Sequence, residues 1–343
     1  MAYKFRLKEP LKPGIHRIAG EQFDSILKAP PIDADADARA RWIHETRKSL
    51  KRLRALLRLV HSGLDTPLRR AENAELRRIG HLLSPMRDRH VLHTTIQNVS
   101  TVAKDPDLAR ACAWFRRNLK THPDAESPAK TDQTNLSDEA RISSAATGLE
   151  DARERFRKLP VTGVFIDVIS EGLVKSHKVG QRALSIATKT ESDEALHDLR
   201  KALQTFWRHS KLVQLAWPEI AAIRIETARQ VSQILGDAQD LAVLAAAARS
   251  FAKLPRDEDH LKLLTSVCRQ RQKHLCAMAF PLANRLLAMP SSAIGEEFAQ
   301  CWLAAEHEAR EQRREAEREA RQKVPPKRRT TPAEKPTKKK TSA

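Results

Sequence analysis

Glycine is scarce in this 343-residue chain, with 10 residues, and tyrosine occurs once. Few β-branched side chains offset the abundance of Ala, Leu, Arg, Glu and Gln. Straight-chain residues lose little rotamer freedom in a helix, so this mixture favours helix and leaves little from which to build a sheet. The four cysteines, Cys112, Cys268, Cys276 and Cys301, form no Cys-x-x-Cys pair and no zinc-like spacing. A disulfide framework and a zinc module are therefore not expected, and the thiols read as small core residues in a reducing compartment. No apolar leader opens the chain, and its longest apolar run, Leu241 to Ala248, falls far short of the ~20 residues that a membrane span needs. The expectation is a soluble, cytoplasmic protein with no membrane partner.

Acidic charge is also in short supply. Lys and Arg number 62 against 43 Asp and Glu, a formal net charge of +19. Such a surplus draws a protein to phosphate polymers or anionic surfaces and says nothing by itself about fold.

The charge is placed twice in the same way. His44-Glu-Thr-Arg47-Lys48 runs on through Lys51, Arg54 and Arg58, and His197-Asp-Leu-Arg200-Lys201 runs on through Gln204, Arg208 and Lys211. A second pair follows at nearly the same offset: Leu83-Ser-Pro-Met-Arg87-Asp88 against Leu235-Gly-Asp-Ala-Gln239-Asp240. Arg77 falls opposite Arg229, and Arg17 can be set against Lys175, near Gly14 and Gly172. Matches in order and spacing across several segments indicate an internal duplication.

Punctuation by Pro, Gly and Ser divides the chain. A lead-in ends at Pro13-Gly14, and a first helix runs from Ile15 to Lys28. The basic helix spans Asp37 to His61, another spans Pro67 to Leu83, and a further one starts near Met86. Residues 10–120 make the first helical repeat and 121–158 a linker with room for a helix. Residues 159–305 make the second repeat, with helices over Val164–Thr188, Ser192–Ala216, Pro218–Leu235, Ala238–Leu254 and Arg256–Met289. A charged helix over 306–323 and a disordered basic tail over 324–343, without core-forming residues, complete the chain.

At ~100° per residue, His44, Arg47, Lys51, Arg54 and Arg58 share an arc of about 80°. Leu50, Leu53, Leu57 and Val60 occupy a neighbouring arc, while Lys48 and Arg52 point towards water. In the second helix, His197, Arg200, Lys201, Arg208 and Lys211 stand opposite Leu196, Leu199, Leu203, Phe206 and Trp207. Like charges at such spacing repel on an isolated helix. A multivalent anion relieves the repulsion, and Arg forks suit phosphate oxygens. Metal binding is not expected, because Arg and Lys stand three and four residues after each histidine. The duplicated histidines fit better as phosphate hydrogen-bond donors. His61, His81, His90, His93, His177 and His209 have no partner in the duplication and read as structural. Arg87-Asp88 and Gln239-Asp240 read as helix starts, with each aspartate favouring the N-terminus.

With both His-x-x-Arg-Lys helices and both Asp-bearing segments in view, residues 10 to 305 resemble the CHAD family, named for its histidine-bearing α-helical domain. The resemblance implies an all-α fold of two pseudo-symmetric, antiparallel four-helix-like bundles. It also implies inorganic polyphosphate as ligand and association with polyphosphate granules in bacteria. Carried over residue by residue, His44, Arg47, Lys51, Arg54 and Arg58 line one wall, and His197, Arg200, Lys201, Arg208 and Lys211 the other. Lys175, Lys178 and Arg182 of the preceding helix, with Arg17 as counterpart, are further candidates. Gln204 and Trp207 depart from the pattern, standing where the first repeat has Lys51 and Arg54.

A non-enzymatic polyphosphate binder without cofactor is the leading expectation. A nucleic-acid-binding or architectural protein using the same basic faces and tail is the alternative. It lacks helix-turn-helix, zinc-finger and RNP patterns, and the stripes carry no interleaved aromatics for base stacking. A metal-dependent phosphohydrolase lacks paired carboxylates near the stripes.

Overall fold

A computed structural model of the chain describes residues 3–28, 35–83, 85–101, 105–121, 136–251 and 257–323. The regular elements among them are helices: α1 (Leu11–Leu27), α2 (Ala36–Leu59), α3 (Thr66–Leu82), α4 (Pro85–Thr101), α5 (Pro106–Thr121), α6 (Asp138–Arg157), α7 (Phe165–Thr190), α8 (Asp193–Leu212), α9 (Pro218–Phe251), α10 (Glu258–Leu286) and α11 (Ser291–Lys323). The basic tail over 324–343 lies outside the described residues.

Capping fixes where the two basic helices begin. Asp35 accepts from the Ala38 amide ahead of α2, and Ser192 from the Ala195 amide ahead of α8; each satisfies one of the orphaned amides of a first helical turn. Glu191, left-handed at φ 47°, ends α7 immediately before Ser192. α8 therefore folds back on α7.

Helix boundaries recur at the offsets of the sequence matches. α2 ends at Leu59 and α8 at Leu212, the offset of His44 from His197. α3 and α9 open at Thr66 and Pro218, and α5 and α10 at Pro106 and Glu258, each one residue less. The α3–α4 pair thus corresponds to the single helix α9, and α5 with α6 stands where the other half has α10.

Three boundaries differ from expectation. α1 begins at Leu11 and contains Pro13-Gly14, because a proline in a first turn has no intrahelical bond to lose. α9 runs unbroken through Gly236-Asp237, so Gln239 and Asp240 are mid-helix; Leu235 and Ala238 are buried on either side, and their packing outweighs the local helix penalty of glycine. Residues 138–157, within the segment read as a linker with room for a helix, form α6, which belongs to the first bundle and buries Ile142, Ala145, Leu149, Ala152 and Phe156.

Packing closes the helices in rings of four. α1, α2, α3 and α6 surround one core and α7, α8, α9 and α10 another, while α4 and α5 pack on the far parts of α9 and α10 around a third. The first core also takes in Ile169 and Leu173 of α7 and Ile294, Phe298 and Trp302 of α11, which ties the halves together. At that junction α7 touches the end of α2 so closely that a Cβ on Gly172 would lie 1.9 Å from the Leu59 carbonyl oxygen. Only glycine fits there. The lead-in crosses α2 and α8, with the Tyr3 hydroxyl donating to the Arg52 carbonyl at 2.8 Å and the Phe5 amide to the Leu212 carbonyl at 2.8 Å.

Candidate anion-binding cleft

α2 and α8 lie antiparallel. His209 Nε2 meets the Ala55 carbonyl at 2.8 Å, and Arg58 Nη1 donates to Thr205 Oγ1 at 3.1 Å. This pairing sets the two basic stripes face to face across a cleft of about 450 Å³. Arg47, Lys51, Arg54 and Arg58 come from α2, and His197, Arg200, Lys201 and Arg208 from α8. Val91 and Leu92 of α4 and Asp240 and Val243 of α9 complete the lining. Among the described lining residues, seven Lys and Arg side chains thus face one aspartate.

Their heads are held in place. Arg47 Nη1 donates to the Gly80 carbonyl at 3.2 Å, and Arg54 Nε to Asn73 Oδ1 at 3.0 Å. Arg208 is buried, with its guanidinium 4.3 Å from the centre of the Trp207 ring, a cation–π contact that partly offsets its desolvation. Burial, then Arg58 and Arg77, pushes the Arg54 guanidinium down to about 10. Burial brings Arg208 to about 10 as well, against the pull of Tyr3 and with Arg52 and Arg58 adding repulsion. The His197 imidazole is lowered by burial and by Lys201 and Arg200, against the pull of Asp198 and of a bond to Gln239. A cleft in which cations are desolvated and crowded favours any anion that replaces the lost water.

A second cleft, of about 610 Å³, adjoins the first through Arg58, Lys201 and Thr205. Lys175 and Arg182 of α7 line it, together with Arg69 and His61. Composition gave no reason to single out these last two, and His61 had been assigned to structure. Arg77, beside Arg54, was legible through its match with Arg229.

Several expected residues lie elsewhere. His44 is exposed and is not part of either lining. Arg17 is committed to Glu9 at 2.6 Å and Glu21 at 3.0 Å and donates to the Lys4 carbonyl. Lys178 is exposed, outside both linings. Lys211 stands with Arg52, Arg229 and Lys48, which lower its ammonium after burial does. Arg52, expected to face water, is half-buried over the Tyr3 ring and donates to Gln22 Oε1 at 3.0 Å. The Arg87 and Asp88 side chains lie outside the described residues. Among those described, no group of three or more His, Cys, Asp and Glu could hold a metal ion, and no helix is long and apolar enough to cross a membrane.

Fold and cleft together define a class of helical-bundle proteins with a cationic groove between paired basic helices. The chain belongs to the CHAD domain family, whose model matches residues 17–249. Both clefts fall within that span. Among solved structures the chain is similar to the CHAD domain from the plant Ricinus communis, at 15% identity and a TM-score of 0.48, over 84% of this chain and 93% of that one. No curated protein matches it.

One test of the cleft follows from Gly236. A Cβ there would lie 2.8 Å from Arg200 Nη2 and 3.0 Å from its Cζ, so the guanidinium rests directly on the α9 backbone. Gly236→Ala should raise or preserve thermal stability, because alanine is favoured over glycine within a helix by up to about 1 kcal/mol. It should nevertheless weaken anion binding severalfold, since Arg200 must swing away. A melting curve and a titration with polyphosphate on the same sample check both. Unchanged affinity would remove Arg200 from the site.

Proposed function

We propose that the protein binds inorganic polyphosphate in the cleft between α2 and α8 without chemical turnover, in the cytoplasm and at polyphosphate granules. The observation that carries this reading is the convergence of seven cations on a cleft with Asp240 as its acidic residue. A linear polyanion without bases needs charge, spacing and hydrogen-bond donors, and Arg forks match phosphate oxygens in pairs. The CHAD family membership of residues 17–249 supports the same reading. A binding role without catalysis is the reading that a lining rich in cations supports, with Asp240 as the one carboxylate among its described residues, where a two-metal hydrolase needs several.

Nucleic acid also answers to charge, but single strands gain affinity by stacking bases on aromatic faces. Trp207, next to the cleft, already carries the Arg208 guanidinium. The test is a competition between long-chain polyphosphate and duplex DNA at physiological salt. Polyphosphate should displace DNA at far lower phosphate concentration; equal competition would overturn the assignment in favour of a general polyanion binder.

His197 gives the binding a pH dependence. Its free-state pKa lies below the ordinary imidazole value because of burial, Lys201 and Arg200, and a bound polyanion raises it. The charged form binds better, so affinity should be highest below the free-state pKa and fall as pH rises through the bound-state value. His197→Gln should flatten this profile. His44→Gln, altering an exposed residue outside the linings, should leave it steep. An unaltered profile in the His197 variant would refute the role.

A further inference from the structure

The second cleft has a feature that a purely inorganic ligand does not use. Besides Lys175 and Arg182, α7 brings Val179, Ala183 and Ile186 to the lining, aliphatic side chains in helical register along one wall. Val179 is 52% and Ile186 43% exposed, so this wall faces solvent although core positions were available to such residues. Across from it, Arg69 Nε and His61 Nδ1 are buried without hydrogen-bond partners among the described residues. The unmet Arg69 Nε–H is costly where water is excluded, and a ligand oxygen would accept from it. At about 610 Å³ the space is that of a small-molecule site. It has room for a ring system against three aliphatic side chains. Acidic groups are present as well: Asp198 lines the cleft, bonded to Lys201 at 3.1 Å, and Glu171 stands near His61. Asp198 could accept from an exocyclic amine.

We propose that this cleft binds a nucleoside polyphosphate, with phosphates on Arg58, Arg69 and Lys175 and the base on the wall formed by Val179, Ala183 and Ile186. Because Arg58 and Lys201 belong to both clefts, nucleotide and inorganic polyphosphate compete, a coupling that rests on the polyphosphate reading above. The base contact itself does not.

The experiment compares ATP with inorganic tripolyphosphate by calorimetric titration of the full chain at physiological salt. The parent should prefer ATP by about tenfold, the scale expected for covering a ring-sized apolar face. Val179→Ser with Ile186→Ser changes no charge and touches exposed positions. It should bring ATP down to the affinity of tripolyphosphate and leave tripolyphosphate unchanged. Arg69→Ala should weaken ATP binding, and long-chain polyphosphate should displace ATP from the parent. Equal affinity for ATP and tripolyphosphate in the parent overturns the base site while leaving the polyphosphate reading intact. An ATP preference that survives the double serine variant also overturns it, since the base would then lie elsewhere. ATP binding that is normal and not displaced by polyphosphate keeps the base site and removes the coupling. Binding of neither ligand defeats both readings.

Discussion

A variant carrying Lys51→Gln, Arg54→Gln and Arg200→Gln together is expected to bind polyphosphate at least about a hundredfold more weakly than the parent, at ~1.5–3 kcal/mol for each charged hydrogen bond lost. It should melt no lower. The three residues face the cleft, off the apolar arc that holds Leu50, Leu53 and Leu57 in the core. Arg54 is held below its ordinary range by burial and by Arg58 and Arg77, which means that its charge opposes folding. Removing the charge relieves that opposition, while glutamine retains an amide that can still bond Asn73. The two effects separate in one thermal-shift series. Parent protein should be strongly stabilised by polyphosphate, as any ligand bound only to the folded state stabilises it, and the triple variant should show almost no shift from an equal or higher starting temperature. A full ligand-induced shift in the variant would show that the cleft is not the site. A collapse of the ligand-free melting temperature would show that the cations serve packing.

Much of this arrangement is legible in the sequence, because a helix converts spacing into direction. The run Arg47, Lys51, Arg54, Arg58 can point only one way once Leu50, Leu53 and Leu57 are buried, and the second helix repeats it. What spacing does not reveal is which other element approaches each end of the stripe. His44 satisfies the arc as well as Arg47 does, but it lies beyond the reach of α8 and is exposed. Arg17 matches Lys175 in register, yet the lead-in places Glu9 against it at 2.6 Å, and the second half has no counterpart in that lining. Arg52, on the far side of α2, meets the Tyr3 ring instead of water for the same reason. For Arg17 and Arg52 a segment without periodicity, residues 3–10, decides the outcome.

The helix breaks were misjudged where local rules and tertiary packing disagree. Gly236-Asp237 has the composition of a turn, but α9 is buried there on both sides and Arg200 occupies the space a side chain would fill. At the matching position α3 does end, at Leu82, and α4 opens on Pro85, where a missing amide donor costs nothing. The two halves therefore carry the same face on differently divided helices. Helix α6 is allowed for within the linker, but its place in the first bundle is not, because it follows a stretch rich in Pro, Ser, Thr and Asp that separates its 3-4-3-4 row of Ile142, Ala145, Leu149, Ala152 and Phe156 from the rest of that repeat.

The second large effect is expected on stability rather than binding, and it comes from His209. This imidazole is completely buried, its Nε2 meets the Ala55 carbonyl at 2.8 Å, and it ties α8 to α2 directly behind the cleft. Burial, with Arg58 and Arg208 adding repulsion against the favourable bond to Ala55, pushes its pKa down to about 3. An unfolded chain would protonate it near 6.5. Above 6.5 the ring is neutral in both states and its contribution to stability is complete. As pH falls from there towards 3, only the unfolded state takes up the proton, so stability declines, by about 3 kcal/mol at pH 4 from this residue alone. Glu9 and Glu75, held low despite burial by their bonds to Arg17 and Arg78, add to the loss only at more acid pH, below the ordinary carboxylate range. His177, lowered by burial and Arg224, acts in the same direction as His209, its contribution declining as pH falls below the ordinary imidazole value. His209→Gln isolates the term, because the amide can still donate to Ala55 but cannot charge. The variant should be less stable than the parent at pH 7, by about 1–3 kcal/mol for an imperfectly replaced buried hydrogen bond, and should lose markedly less stability between pH 7 and pH 4. Urea denaturation at pH 7, 5.5 and 4 measures both slopes. Parallel declines in parent and variant would mean that His209 titrates in the folded protein as it does in the unfolded chain, and that the contact between α2 and α8 opens readily enough to admit a proton.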